Sequence, residues 1–153
     1  MFQSLGEYVK AEEYLQKAFQ ISREIGDKYR EATCYGNLGS VFQALGEYVK
    51  AEEYHEKALQ IRREIGDKVG EAACYGSIGN VFQSLGGYVK AEESLHKALQ
   101  IQTEIGDKRG EATSYGNLGT LFQSLGKCVE AKNCCQKSLA ISKEIGEIGR
   151  AHV

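Results

Sequence analysis

Proline and tryptophan are both absent from this sequence, and methionine occurs only once. Without proline, no residue interrupts a helix by removing a backbone N–H, and the Ala, Glu, Lys, Gln and Leu content favours helix. Glycine, by contrast, is abundant, with 18 residues in 153. Because that level is typical of loops or low complexity, the positions of the glycines have to be reconciled with a helical composition.

An excess of charge of either sign is also missing. Lys and Arg number 19 against 21 Asp and Glu, a net charge of −2, so neither a nucleic-acid-binding surface nor disorder is indicated. No hydrophobic run approaches the ~20 residues of a membrane span, and residues 1–10 lack the order of a signal peptide. We expect a soluble protein with no nucleic-acid partner and no membrane contact.

Five cysteines, an odd number, and the absence of any Asn-x-Ser/Thr sequence argue against a secreted disulfide scaffold. Reduced thiols and a cytoplasmic location are the expectation. Cys128, Cys134 and Cys135 cluster, but they lack the short paired spacing of a zinc site, so we expect no metal and no cofactor. His55 is expected to be a packing residue. No pairing of a nucleophile with a base recurs along the chain, so we do not expect an enzyme.

The dominant feature is an internal repeat of 40 residues. Residues 41–80 and 81–120 differ at 13 of 40 positions and are identical at the other 27. The same register extends over residues 2–40 and 121–146, so one unit accounts for nearly the whole chain. A fixed period of this length is typical of solenoids and other repeat architectures.

Each unit divides into two amphipathic helices. Residues 28–45 carry apolar residues at spacings of three and four, and residues 48–65 do so again, with a charged opposite face. We expect Ile65 to point inward. Asp67 is a predicted N-cap of the following helix. Glycine is the residue best suited to the left-handed conformation that follows the end of a helix. We call the two helices of each unit its first and second helix. We expect glycine to end first helices at 6, 46, 86 and 126 and second helices at 26, 66, 106 and 146.

Such helix pairs cannot bury their apolar faces alone, so they stack, which predicts an all-α fold, an α-solenoid of antiparallel helix pairs. The residues resemble the tetratricopeptide repeat, with its aromatic, Leu-Gly, aromatic, Gly-x-Tyr and paired alanines. Those slots are filled by Tyr35, Leu38, Gly39, Phe42, Gly46, Tyr48, Ala51, His55 and Ala58, and again 40 and 80 residues later. The resemblance implies a right-handed superhelix with the first helices on its concave side.

The repeat departs from that family's usual pattern in its 40-residue length and in the missing proline, whose place is taken by Arg63, Thr103 and Lys143. The phrases Glu-Ile-Gly-Asp-Lys and Tyr-Gly-Asn-Leu-Gly resemble a long-repeat branch. That branch includes Pins-type spindle-orientation adaptors and large animal repeat proteins, some of them linked to a CHAT domain. The residues leave open which of these is closer.

The register divides the chain into a partial repeat at 1–27, repeats at 28–67, 68–107 and 108–147, and a degenerate end at 148–153, all in a single array. It begins halfway through a first helix and shows no polar capping helix, so it is expected to be a piece of a longer array. Uncapped ends expose the face meant for a neighbouring repeat. End-to-end self-association is therefore a further expectation.

The positions that the resemblance places in the groove are small residues and amides. As peptide-binding residues we predict Thr33, Asn37, Ser40, Gln43, Ser77, Asn80, Gln83, Thr113, Asn117, Thr120 and Gln123. Amides both donate and accept, so they can hold the backbone of an extended peptide. Lys and Arg are missing there, which argues against an acidic C-terminal tail as ligand. The predicted function is a protein-interaction scaffold that takes an extended or helical segment of another protein; the alternative is a structural or self-assembling spacer or sensor arm of a larger protein.

Overall fold

The computed structural model describes the backbone of residues 2–152 and the side chains of residues 5–152. All regular structure within that range is helical, which confirms the all-α prediction. The helices are α1 (Phe2–Glu24), α2 (Lys28–Ala44), α3 (Tyr48–Glu64), α4 (Lys68–Ser84), α5 (Tyr88–Ile105), α6 (Lys108–Ser124) and α7 (Cys128–Ala151). None of these described helices is long and apolar enough to cross a membrane.

Contacts divide the chain into two compact units, residues 1–74 and residues 75–153, with the boundary inside α4. In the first unit α2 packs against α1 and α3, and in the second α6 packs against α5 and α7. Turns of three residues join α1 to α2, α2 to α3 and α6 to α7, and a turn of two residues joins α5 to α6, so neighbours in sequence run antiparallel. In each unit, the first helix of a repeat (α2 or α6) thus contacts two second helices: α1 and α3 in the first unit, and α5 and α7 in the second.

Glycine in the left-handed conformation makes the turns, as predicted. At Gly46, φ is +78°, its N–H donates to the carbonyl of Gln43, and the next N–H donates to the carbonyl of Phe42. These bonds satisfy carbonyls that the end of α2 would otherwise leave unpaired. The same positive φ is found at Gly26, Gly46, Gly66, Gly86, Gly106 and Gly126.

Two predicted stops are wrong, because α1 runs straight through Gly6 and α7 runs straight through Gly146. Glycine permits a left-handed turn but does not impose one. After Gly146 stands Glu147 in place of the Asp107 that caps α6, and a glutamate is a weaker N-cap.

The predicted cap by Asp67 is confirmed, and Asp27 and Asp107 cap their helices in the same way. Carboxylate oxygens of Asp27, Asp67 and Asp107 each accept the backbone N–H three residues later, at 3.0 to 3.1 Å. Each cap satisfies a donor that the first turn of a helix leaves without an intrahelical partner. The caps fix where α2, α4 and α6 begin, and with them the register of the polar face that these first helices carry.

Within each helix pair a glycine of the first helix lies against a side chain of the second. A Cβ at Gly79 would lie 2.8 Å from Leu95, and a Cβ at Gly119 would lie 2.8 Å from Sγ of Cys135. The two backbones approach closely only because these Cβ atoms are missing. The expectation that Ile65 points inward is wrong: α3 ends at Glu64, and Ile65 lies in the turn, 40% exposed.

Candidate functional site

The eleven predicted peptide-binding side chains all lie on first helices. They recur at steps of three and four residues, which places those of one helix along one side of it. We call them the first-helix face: Thr33, Asn37, Ser40 and Gln43 on α2 in the first unit, and Ser77, Asn80 and Gln83 on α4 with Thr113, Asn117, Thr120 and Gln123 on α6 in the second unit.

The hydroxyl groups of this face are mostly engaged by their own helices. Ser40 Oγ donates to the carbonyl of Gly36 at 3.2 Å, and Thr113 and Thr120 donate to the carbonyls of Arg109 and Gly116. Such bonds to the carbonyl four residues earlier use the hydroxyl proton and leave the oxygen as an acceptor. These residues can therefore accept hydrogen bonds from a ligand more readily than they can donate.

The amides of the face are different. Among the described residues, no protein group bonds the side chains of Asn37, Gln43, Asn80, Asn117 or Gln123. Asn37 and Gln123 are exposed and the other three are half-buried. Each amide carries two donors and an acceptor, so together they offer unused hydrogen-bonding capacity in both directions.

In the second unit the faces of α4 and α6 adjoin each other. Gln83 Nε2 donates to Ser124 Oγ at 3.4 Å, across 41 residues of sequence. Since Ser124 Oγ also donates to the carbonyl of Thr120, the contact links the last turn of α4 to the last turn of α6. Polar groups of two successive first helices therefore form one connected surface in this unit.

Thr33 has a different environment from the rest of the set. Its Oγ1 accepts a hydrogen bond from Arg62 Nη2 at 2.9 Å and donates to the carbonyl of Tyr29. Arg62 is buried, forms an ion pair with Asp67 at 2.7 Å and lies over the ring of Tyr29, 4.5 Å from its centroid. Thr33 thus takes part in a packing contact with α3, which the sequence did not indicate.

Formal charge is confined to the beginning of the first helices. Glu31, Glu71 and Glu111 are buried, and each is paired with the lysine three residues earlier, at 3.3, 3.1 and 3.4 Å respectively. Between those glutamates and the ends of α2, α4 and α6 the sequence carries no charged residue. The first-helix face is therefore polar but uncharged along its length.

Two glycines on the first helices are not explained by helix packing. At Gly36 and Gly76 an added Cβ would meet nothing within 4 Å. Glycine in a helix interior costs roughly 0.5–1 kcal/mol relative to alanine, and here no close helix contact requires it. The main chain at these two positions is accessible to a ligand that approaches closely.

Other candidate groups are accounted for by packing. His55 is 3% exposed, and burial lowers its pKa to about 4, so its ring is neutral. Burial likewise raises the pKa of the Cys74 thiol to about 11. Among the described residues, no cluster of three or more His, Cys, Asp and Glu side chains could hold a metal ion.

Several lysines of the second helices, which were expected on a charged face, cover aromatic rings. Lys57 Nζ lies 5.6 Å from the centroid of Tyr35, and Lys137 Nζ lies 5.3 Å from that of Tyr115. An ammonium group over a ring is attracted by its negative face. The fixed spacing of 22 residues between tyrosine and lysine is the signal that could have revealed this pairing.

Comparison with known proteins gives a consistent result. The family model of the tetratricopeptide repeat matches residues 1–64, 37–95 and 70–144. The crystal structure of BtubC (BKLC) from P. vanneervenii is similar, with 26% identity over 93% of this chain and 58% of that one, and a TM-score of 0.82. Aspartyl phosphate phosphatase F from Bacillus subtilis has 19% identity over 95% of this chain and 38% of its own, with a TM-score of 0.86.

A Rap protein crystallised in complex with competence and sporulation factor is also similar in fold. It has 22% identity over 88% of this chain and 38% of its own, with a TM-score of 0.77. The comparison with curated protein sequences gave no significant match. This chain spans 58% of BtubC and 38% of the other two proteins, so the likeness concerns part of each of them.

Proposed function

The chain belongs to the tetratricopeptide repeat family, and from that premise we propose that it binds a segment of another protein on its first-helix face. The ligand is an extended or helical peptide, held chiefly through its backbone, and no catalytic step is involved. The observation that carries this proposal is the set of unpartnered amides, Asn37, Gln43, Asn80, Asn117 and Gln123, on an uncharged face.

The chemistry of the face defines the class of ligand. A peptide backbone presents one N–H and one carbonyl per residue, and an amide side chain can bond either. The open main chain at Gly36 and Gly76 supports close approach of such a backbone. Because the face lacks Lys and Arg, it offers no cationic partner for a carboxylate, so an acidic C-terminal tail is excluded from the proposal.

The link between Gln83 and Ser124 supports a ligand that contacts two first helices of the second unit at once. Binding across two helices adds contacts that a single helix face cannot supply. The Rap structure with competence and sporulation factor supports a binding role for this fold. That support concerns the fold.

The test is a selection of displayed random peptides on the full chain, followed by affinity measurements on the selected peptides. We expect Asn117→Ala combined with Gln123→Ala to weaken binding at least about tenfold, or about 1.4 kcal/mol. The matched control changes two exposed glutamines on the second helices of the same unit, Gln100→Ala with Gln136→Ala, and should leave the affinity unchanged.

Circular dichroism on both double variants checks that the helices are intact. If no peptide is selected, or if the selected peptides bind the Asn117 and Gln123 variant as tightly as the wild type, the proposal is wrong. That outcome favours the alternative, in which this array is a spacer or sensor arm and its polar face is simply hydrated.

A further inference from the structure

The second helices share a side on which an exposed valine recurs. Val49 on α3, Val89 on α5 and Val129 on α7 are 62%, 73% and 71% exposed, although α2 packs against α3, and α6 packs against both α5 and α7. The slot of these valines therefore lies outside the packing between helices. We call this side the outer face, and we define it on α3 as Val49, Glu52, Glu53 and Glu56, and on α7 as the same four slots, Val129, Lys132, Asn133 and Gln136.

The charge of the outer face reverses between the two units. On α3 the face carries three carboxylates, whereas on α7 the same slots hold one lysine and two amides. The flanking residues follow the same trend, with four glutamates and two lysines in residues 47–57 but one glutamate and three lysines in residues 127–137. One chain thus carries an acidic copy of this face on α3 and a basic copy on α7.

The carboxylates of the α3 face have no cation beside them. Glu53 and Lys57 have the spacing of a helical ion pair, but Nζ of Lys57 lies over the ring of Tyr35, 5.6 Å from its centroid. Within the described residues, none of the three carboxylates forms an ion pair. Glu52 and Glu56 are four residues apart, a spacing at which like charges destabilise a helix. A cation supplied by another molecule would relieve this repulsion.

The shape of the α3 face suits a lysine. Its four residues and Lys57 line a recess of about 420 Å³. A lysine side chain has an apolar stem and a charged end, so its stem can lie along Val49 while the ammonium group reaches the carboxylates. On α7, Lys132 is exposed and forms no ion pair or ring contact within the described part of the chain. It is available to enter such a recess.

We propose that the outer face of α7 in one copy of this chain docks on the outer face of α3 in a second copy. The occupant is a second copy because its α7 supplies both the cation that the recess lacks and an exposed valine in the same register. With the two helices parallel, Val129 lies on Val49, and Lys132 lies beside Glu52 and Glu53. The contact uses no residue of the first-helix face, so it goes beyond the proposed peptide binding and does not depend on it.

The contact is weak and electrostatic. Exposed ion pairs individually contribute little to binding and are screened by salt. A pair of single helix faces also buries less area than the roughly 1,200 Å² of a stable complex. We therefore expect association in the high micromolar to millimolar range at low salt, and none at high salt.

Sedimentation equilibrium of the full chain under reducing conditions measures this association. The protein concentration runs from about 10 μM to about 1 mM, which spans the expected dissociation constant. Raising NaCl from about 0.01 M to about 1 M shortens the screening length from about 30 Å to about 3 Å. We expect the average mass to rise with protein concentration at the low salt level and to stay at that of the monomer at the high one.

Exchanging residues between the two faces gives the decisive variants. Glu52→Lys with Glu53→Asn puts the α7 residues on α3, and Lys132→Glu with Asn133→Glu puts the α3 residues on α7. Each double variant has two outer faces of the same sign, so its association should weaken at least about tenfold. All four substitutions together restore opposite charges at the original net charge and should restore association. An equimolar mixture of the two double variants is an independent check, since it contains one intact α3 face and one intact α7 face.

The matched control is Glu24→Lys with Glu144→Gln. It changes the net charge by the same amount as Glu52→Lys with Glu53→Asn, at exposed positions outside both outer faces. It should leave the association unchanged, because the proposed contact depends on where the charges lie. Circular dichroism of each variant verifies that the helices remain folded.

Four results overturn the proposal: no rise in mass at low salt, association that persists at high salt, equal loss in the control, or no recovery in either the four-substitution variant or the mixture. Loss of association in the Asn117→Ala and Gln123→Ala variant also overturns it, because the contact would then lie on the first-helix face. Failure of the peptide selection on that face leaves the present inference standing, so the two proposals fail separately.

Discussion

The imidazole of His55 lies against Gly39, so closely that a Cβ on the glycine would be 2.7 Å from Nε2. That nitrogen is buried and, in the part of the chain that the structure describes, has no hydrogen-bond partner. In the second unit the same slots hold Leu95 and Gly79, an apolar pair in the same close contact. The first unit thus buries a polar atom where the second has a methyl group.

His55→Leu should stabilise the protein. The substitution removes a buried nitrogen without a partner, which typically costs about 1–3 kcal/mol, and leucine already fits this slot at position 95. Urea denaturation measures the change in the free energy of unfolding. His96→Leu, at an exposed position one residue later in the repeat, is the control and should change it little. A less stable His55→Leu protein would contradict this account of the contact.

Stability should fall in acid because of His55. Burial lowers its folded-state pKa from 6.5 to about 4, so the unfolded chain takes up the proton first. Above pH 6.5 the imidazole is neutral in both states and protonation costs no stability; as pH falls toward 4, protonation of the unfolded chain alone lowers the free energy of unfolding by about 3 kcal/mol. We therefore expect the stability difference between His55→Leu and wild type to widen over that range. A difference that stays constant from pH 7 to 4 would show that the imidazole is not the group responsible.

Gly79→Ala and Gly76→Ala should have opposite effects. A Cβ at Gly79 would collide with Leu95 and lie 3.2 Å from the carbonyl of Ala91, and such overpacking costs about 1–3 kcal/mol. A Cβ at Gly76 meets nothing, so alanine should stabilise α4 by about 0.5–1 kcal/mol. Thermal unfolding of the two variants measures both effects. If the proposed function is right, Gly76→Ala also weakens peptide binding although the protein is more stable.

Arg62→Ala should destabilise the first unit far more than Arg30→Ala. Arg62 is buried between Asp67, Thr33 and the ring of Tyr29, and its loss leaves partners unpaired at a cost of about 2–3 kcal/mol. The Arg30 side chain is 72% exposed, and its pair with Asp27 should contribute less than about 1 kcal/mol. Chemical denaturation at low and high salt separates the two, because only the exposed pair should weaken with salt. Equal losses would contradict the buried position of Arg62.

The cysteines should differ strongly in reactivity. Burial raises the pKa of Cys74 to about 11, while Cys128 and Cys135 are exposed. Since the thiolate is the reactive form, alkylation at pH 8 should reach Cys74 at least about an order of magnitude more slowly than Cys128. Peptide mapping by mass spectrometry follows each site, and labelling in urea should remove the difference. Rapid native labelling of Cys74 would contradict its place in the core.

Periodicity and turn chemistry were enough to predict the helices. The apolar spacing and the glycines predicted α2 and α3 to within one residue at each end, because a helix start and a left-handed stop depend on a few neighbouring residues. The same reasoning failed at Gly6 and Gly146. Glycine permits a left-handed turn without imposing one, so residue type alone does not decide whether a helix ends there.

The candidate site could be predicted in part. Residue type and spacing place the eleven polar residues on first helices, but they do not say which hydrogen bonds are already made. Thr33 is bonded by Arg62, and Gln83 reaches Ser124, through contacts between helices far apart in sequence. Within the described part of the chain, no group bonds the side-chain amides of Asn80 and Asn117.

By itself the sequence determined the repeat, the all-α fold, the bounds of α2 and α3 and the polar character of the first-helix face, since these follow from local spacing and the conformational preferences of single residues. Tertiary structure alone decided that Arg62 is buried over Gly70 and that the His55 nitrogen has no partner among the described residues. Burial and pairing depend on which side chains of other helices arrive at a position. The distances between such side chains are set by how the helices pack, and a short stretch of sequence does not determine them.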